Sequence, residues 1–185
     1  MKYENDDRVV LTLDAGGTNF VYSAIQGYQS ITEPIRYPSQ ADDLEKCLSN
    51  IEDGFNELKD KVDQKPAAIS FAFPGPADYR NGIIGNLPNL PAFSGGVALG
   101  PYLNKKFDLP VYINNDGNLY AYGEALVGYL PDINAKLEKA GSPKRYRNLV
   151  GFTLGTGFGG GIVHNGELVI GDNSNAGEVW ILRDI

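Results

Sequence analysis

The chain opens on a strand rhythm and then changes to a helical one. Arg8 to Leu13 alternates and is β-branched, and Phe20 to Ile25 does the same, so each reads as a short strand. Asp14-Ala15-Gly16-Gly17-Thr18-Asn19 lies between them as a tight turn, predicting a hairpin and not a strand-to-helix phosphate loop. A third strand is predicted over Ile31 to Tyr37, with Pro34 placing it at an edge or bulge. The spacing then becomes three and four at Leu44, Cys47, Leu48, Ile51, Phe55, Leu58 and Val62, predicting an amphipathic helix from Ala41 to Val62. Ser39 is its expected N-cap, with Asp42 and Asp43 well placed in the first turn. Pro66 stops the helix. Ala67 to Phe73 is a nearly continuous apolar run, as expected of a central strand covered on both faces, and Pro74-Gly75-Pro76 ends it.

Residues Asp78 to Phe93 are rich in turn signals, Asn81-Gly82 and then Gly85-Asn86-Leu87-Pro88-Asn89-Leu90-Pro91, the mark of a binding loop. A short helix, Val97 to Phe107, leads to the strand that begins at Val111. That strand stops in Asn114-Asn115-Asp116-Gly117-Asn118, ahead of a helical pattern from Leu119 to Tyr129. Leu130 to Arg147 is polar and partly helical, an insertion between the halves of the pattern. Asn148 to Leu154 is a strand, Gly155-Thr156-Gly157-Phe158-Gly159-Gly160-Gly161 a second glycine turn, and Ile162 to Ile170 a hairpin with Asn165-Gly166 at its tip. Strand, glycine turn, strand and hairpin thus occur twice, predicting two similar lobes: an N-terminal lobe over 1–111 and the start of a second over 112–185, incomplete and with its polar insertion near 130–147.

A net charge of −7 argues against a nucleic-acid partner, which needs a basic face. No apolar run is long enough to span a bilayer. One cysteine, Cys47, excludes an internal disulfide and makes a cytoplasmic location the default. Cys47 falls on the apolar stripe of the helix, so it reads as a core residue.

Small polar groups at the carboxyl end of a strand are where ligands sit in α/β chains. Glycine lets backbone N–H groups approach a phosphate, and the Thr18 and Thr156 hydroxyls can donate to its oxygens. Asp14 repels phosphate but suits Mg²⁺, directly or through water. The plain alternative is that Gly16-Gly17 is only a hairpin turn and Gly157 to Gly161 only a close-packed strand. Asp116 can take the proton of a sugar hydroxyl as its bond to phosphorus forms, or it can merely cap the following helix. Asn115 can give and accept hydrogen bonds as a polyol requires. Gly155, Gly157 and Gly160 fit the dinucleotide-binding spacing, but the chain continues as strand and hairpin where that motif needs a helix, so a nicotinamide cofactor is rejected. His164 reads as a solvated turn residue, and no Cys/His cluster makes a zinc site.

The four motifs Leu13 to Asn19, Ile113 to Asn118 with Gly123-Glu124, Leu154 to Gly161, and Asn175-Ala176-Gly177-Glu178 resemble those of the ROK family (repressors, open reading frames, kinases), in order and spacing. These are sugar kinases and sugar-responsive repressors of the actin-like ATPase superfamily. The resemblance implies an α/β, ribonuclease H-like fold with a mixed sheet flanked by helices. It also implies that Asp14, Gly16, Gly17, Thr18 and Asn19 form one phosphate loop and Gly155, Thr156 and Gly157 a second. By the same resemblance Asp116 is the general base, and Asn89, Asn115 and Glu178 bind sugar hydroxyls. The implied reaction transfers the γ-phosphate of ATP, with Mg²⁺, to glucose or a related hexose. The implied partners are a sugar and a nucleotide, with no membrane or nucleic acid, and a homodimer is left open. Two features depart from the family. Ile181 stands where many members have a sugar-binding His beside a zinc site, and seven residues precede the first strand where the repressors carry a helix-turn-helix. The expectation is therefore a glucokinase-like sugar kinase, the alternative being a non-catalytic sugar-binding relative or fragment.

Overall fold

The structure, a computed structural model, describes residues 3–75, 77–155 and 157–181. It separates into two compact units, Tyr3–Asn115 and the residues from Asp116 onward.

The first unit begins with β1 (Val10–Ala15), β2 (Asn19–Gln26), β3 (Gln29–Ser30) and β4 (Ile35–Pro38), followed by α1 (Leu44–Asp60) and β5 (Ala68–Ala72). Two short strands, β6 (Ala77–Asp78) and β7 (Ile83–Ile84), pair within the turn-rich loop; α2 (Leu99–Phe107) and β8 (Val111–Asn114) complete the unit. Its six-stranded sheet has the order β3-β2-β1-β5-β8, with β4 also paired to β2. β1 runs antiparallel to β2 and parallel to β5, which is parallel to β8, so the sheet is mixed. Because β8 belongs to this sheet, the lobe boundary expected at residue 111 falls four residues later, after Asn115.

Alternation sets what is buried. Leu11, Leu13, Phe20, Tyr22 and Ala24 turn one face of β1 and β2 inward, where α1 contributes Cys47, Ile51, Phe55 and Leu58. Burial pushes the Cys47 thiol up to about 11, with the Asp43 charge adding to the effect, so it stays a protonated core residue. The strand expected over Ile31 to Tyr37 is broken in two. Both β3 and β4 lie along the outer edge of β2, and in the gap the Ala24 N–H donates to the Thr32 hydroxyl at 3.0 Å. A side chain there replaces a ladder bond, in the edge stretch where Pro34 has no N–H to give.

The second unit holds α3 (Asp116–Leu126), α4 (Tyr129–Lys139), β9 (Leu149–Leu154), β10 (Phe158–His164) and β11 (Glu167–Val169). The helix expected at Leu119 to Tyr129 begins three residues sooner and ends at Leu126, and a separate helix follows. Glu124 explains the break: its carboxylate accepts the Tyr129 N–H at 2.7 Å, satisfying one of the unpaired donors that open α4. The polar stretch expected as an insertion between the halves therefore lies inside this unit, and its first part is helical.

The repeat read from the sequence is present in the backbone. β1-β2-β3 and β9-β10-β11 are both antiparallel meanders. In each, the second hairpin turns on two residues with positive φ, Gly27 (50°) and Tyr28 (71°), then Asn165 (51°) and Gly166 (80°). Positive φ at both positions is the mark of the type I′ turn that matches strand twist.

Candidate functional site

Each unit carries part of the candidate set. In the first, β1 delivers Asp14 to its carboxyl end, where the side chain is exposed. The turn that follows is drawn tight. The Gly16 N–H donates to the Asn19 carbonyl at 3.1 Å, and a Cβ on Gly16 would come within 2.9 Å of that same oxygen. Gly17, Thr18 and Asn19 are exposed. Asn89 stands directly against this turn: a Cβ on Gly17 would lie 3.3 Å from the Asn89 Cβ and carbonyl oxygen. Buried Leu87 and Leu90 bridge to each other and hold Pro88-Asn89 outward as a tip. The Ala92 N–H donates to the Ala41 carbonyl at 2.9 Å and fixes the loop to the start of the α1 segment. A sequence-distant sugar-binding candidate and a phosphate-turn candidate are thereby brought into contact.

Asn115 follows β8. Its N–H donates to the Asn114 Oδ1 at 2.8 Å, and its amide nitrogen lies 3.5 Å from the Tyr79 hydroxyl. That hydroxyl donates to the Phe73 carbonyl at 3.0 Å, at the end of β5. Tyr79 is buried and fills the space beside Gly75, where a Cβ would meet its oxygen at 2.5 Å. Sequence reasoning missed Tyr79, because nothing in a turn-rich loop separates a buried Tyr from an exposed one.

Ser39 was expected to cap α1, and the structure corrects this. Asp43 is the N-cap, its carboxylate accepting the Lys46 N–H at 3.1 Å. Ser39 is buried, and its hydroxyl donates to the Gly17 carbonyl at 2.6 Å.

In the second unit, Asp116 is exposed and is the first residue of α3; its Oδ1 accepts the Gly117 N–H at 2.9 Å. The capping reading of Asp116 and the reading as a base are compatible in this position, since one oxygen accepts the bond and the carboxylate stays at the surface. Gly155 and Gly157 close the β9–β10 turn, the Gly155 N–H donating to the Gly157 carbonyl at 3.1 Å. Thr156, expected in the same loop, lies outside the described residues, as does Pro76. Glu178 is half-buried, its N–H donating to the Asn175 carbonyl at 3.2 Å and its carboxylate accepting the Trp180 indole N–H.

The second glycine run divides into two functions. A Cβ on Gly155 or Gly157 would meet nothing within 4 Å. Gly151 and Gly161 pair across β9 and β10 under α3, and a Cβ on either would come within 2.9 and 2.8 Å of the Ala121 Cβ. Those two are glycine because the helix backbone sits almost on the sheet. Gly161→Ala is accordingly expected to destabilise this unit by about 1–3 kcal/mol through overpacking, while Gly157→Ala leaves its stability unchanged. Urea midpoints of the two variants check this, and equal effects would contradict the division.

Among the described residues no three His, Cys, Asp or Glu side chains are grouped to hold a metal ion. A lone carboxylate still suits Mg²⁺, which keeps several waters and takes substrate phosphate oxygens as ligands. Exposed Asp14, beside a turn of exposed backbone, fits that requirement. Among the described residues no helix is long and apolar enough to cross a membrane.

Known proteins resemble this chain over most of its length. The family model of the ROK family matches residues 10–180. The N-acetyl-D-glucosamine kinase of Vibrio cholerae serotype O1 is 30% identical over 170 residues, 92% of this chain and 51% of that protein. The crystal structure of a glucokinase from Parabacteroides distasonis is 61% identical with a TM-score of 0.89, over 100% of this chain and 52% of that one. A ROK family glucokinase from Streptomyces griseus, solved with glucose and AMPPNP, is 20% identical with a TM-score of 0.74 over 96% of this chain and 51% of its own, a likeness of fold. The chain spans about half the length of the relatives it matches. With its mixed sheet, its repeated meander and these matches, the chain has the actin-like α/β fold and belongs to the ROK family.

Proposed function

We propose that the chain carries sugar- and phosphate-binding elements of an ATP-dependent, glucokinase-like sugar kinase. The observation that carries this reading is the contact of Asn89 with Gly17, which sets a polyol-binding side chain against a phosphate-type turn within one unit. Asn89, Asn115 and Glu178 hold sugar hydroxyls, each able to accept a hydrogen bond and the amides able to donate one as well. Asp116 accepts the proton of the attacking hydroxyl, so that the oxygen becomes nucleophilic as it approaches phosphorus. The backbone of Gly16 to Asn19, and that of Gly155 to Gly157 with the Thr156 hydroxyl, cradle the phosphates. Asp14 holds Mg²⁺, directly or through water; when bound, the ion neutralises charge on the phosphate oxygens. A reaction that draws on ATP places the protein in the cytoplasm.

The relatives rank the sugars to try. The glucokinase with 61% identity favours glucose, and the N-acetyl-D-glucosamine kinase makes its sugar the second choice. Ile181, where the family resemblance leads one to expect a sugar-binding His, favours one other reading, a ROK protein that binds sugar without turning it over. Calorimetry with glucose, N-acetylglucosamine and MgATP separates them. The kinase reading expects heat from both a sugar and MgATP. Sugar binding without nucleotide binding would support the second reading instead.

A further inference from the structure

We propose that Ser39 is a positioning residue for phosphate binding, acting through the Gly16–Asn19 turn, a role that presupposes the turn holds phosphate as proposed above. Ser39 is only 2% exposed, yet its two donors are spent on consecutive carbonyls of that turn. Its hydroxyl donates to the Gly17 oxygen at 2.6 Å and its backbone N–H to the Thr18 oxygen at 3.0 Å. A trans peptide points its C=O and the following N–H in opposite directions. Holding the Gly17 carbonyl toward Ser39 therefore turns the Thr18 N–H away from it, out of the protein side of the turn. Holding the Thr18 carbonyl likewise turns the Asn19 N–H away from Ser39. Neither the Gly17 nor the Thr18 N–H is bonded to another described residue.

A glycine carbonyl left free can swing to the other face of the turn. There it would present a partial negative charge to a phosphate and remove an N–H donor at the same time. Ser39 prevents that swing and is itself anchored. The neighbouring Pro38 carbonyl accepts the Asn50 amide of α1 at 2.7 Å, and Pro38 pairs with Asn19 across β2 and β4. The orientation of the turn is thus fixed from α1 through the end of β4, by a residue that touches neither sugar nor phosphate.

The test compares wild type with Ser39→Ala and Ser39→Thr, by titration with MgATP and with glucose and by steady-state kinetics. Losing one such hydrogen bond is expected to weaken MgATP binding roughly tenfold. KM for ATP should rise accordingly, with glucose affinity and kcat at saturating ATP unchanged, and Ser39→Thr, which keeps the hydroxyl, should restore ATP affinity. Ser39→Ala that binds MgATP as tightly as wild type would overturn the proposal. So would an equal loss of glucose and ATP affinity accompanied by a lowered Tm, the signature of a fold defect. If Ser39→Ala weakens MgATP binding but wild type transfers no phosphate, the positioning role stands and the kinase reading falls. A wild type that binds no MgATP overturns both.

Discussion

Asp116→Asn is expected to lower kcat for phosphoryl transfer to a hexose by about 10²–10⁴-fold, the range general-base catalysis supplies, with sugar affinity retained. The substitution isolates chemistry from architecture. Asp116 opens α3, and its Oδ1 accepts the Gly117 N–H at 2.9 Å. Asparagine keeps an oxygen in that place and is as good a residue at a helix start, so the helix should survive. What it cannot do is take the proton of a hydroxyl. Steady-state kinetics with glucose and MgATP, run beside a thermal melt, reads both quantities. Near-normal turnover in the variant would show that Asp116 is a cap and nothing more. A lowered Tm that accounts for the lost activity would contradict the base assignment as well.

Phe55→Ala is expected to cost about 3–5 kcal/mol of stability in the Tyr3–Asn115 unit, as for a fully buried aromatic cut back to a methyl. Phe55 is inaccessible to solvent and meets three other rings: Tyr22 at 5.2 Å, Phe107 at 5.8 Å and Phe71 at 6.1 Å between centroids. Those rings come from β2, α2 and β5, so a single side chain joins α1 to the sheet and to the second helix. Edge-on packing of this kind adds to the area it buries. Because β1 and β2 carry the turn that holds Gly17 against Asn89, sugar affinity should fall along with stability near the unfolding midpoint. Urea unfolding followed by far-ultraviolet circular dichroism measures the change. A loss below about 1 kcal/mol, the usual range for surface sites, would mean that the ring is not the keystone of this core.

The elements with strong period were legible in the chain. The β1 and β2 hairpin, the stripe of α1 and the run at β5 follow from alternation and spacing alone. Ser39 shows where such reading stops. Ser39 and Asp43 are both good capping residues ahead of the same stripe, and only a contact 22 residues back, with Gly17, assigns Ser39 elsewhere. The broken edge at Ile31 to Tyr37 depends on the Thr32 hydroxyl reaching the Ala24 N–H, which no periodicity encodes. The glycine run from Gly155 to Gly161 looks uniform in sequence. Its division into a turn and a helix-docking face appears only when Ala121 is seen against Gly151 and Gly161. Asn89 emerged from resemblance to the family and not from spacing, because its place beside Gly17 joins segments far apart in the chain. Asp14 and Asn115 stand at or just past the ends of β1 and β8, where ligand sites in α/β folds gather, and for that reason they are candidates from the sequence alone.

The most direct test of the central claim is phosphorus NMR of the protein with MgATP and glucose, repeated with N-acetylglucosamine. The kinase account predicts a sugar monophosphate and ADP accumulating in equal amounts, with no inorganic phosphate released in their place. Sugar bound by the protein while ATP stays intact, with no sugar phosphate formed, would contradict it.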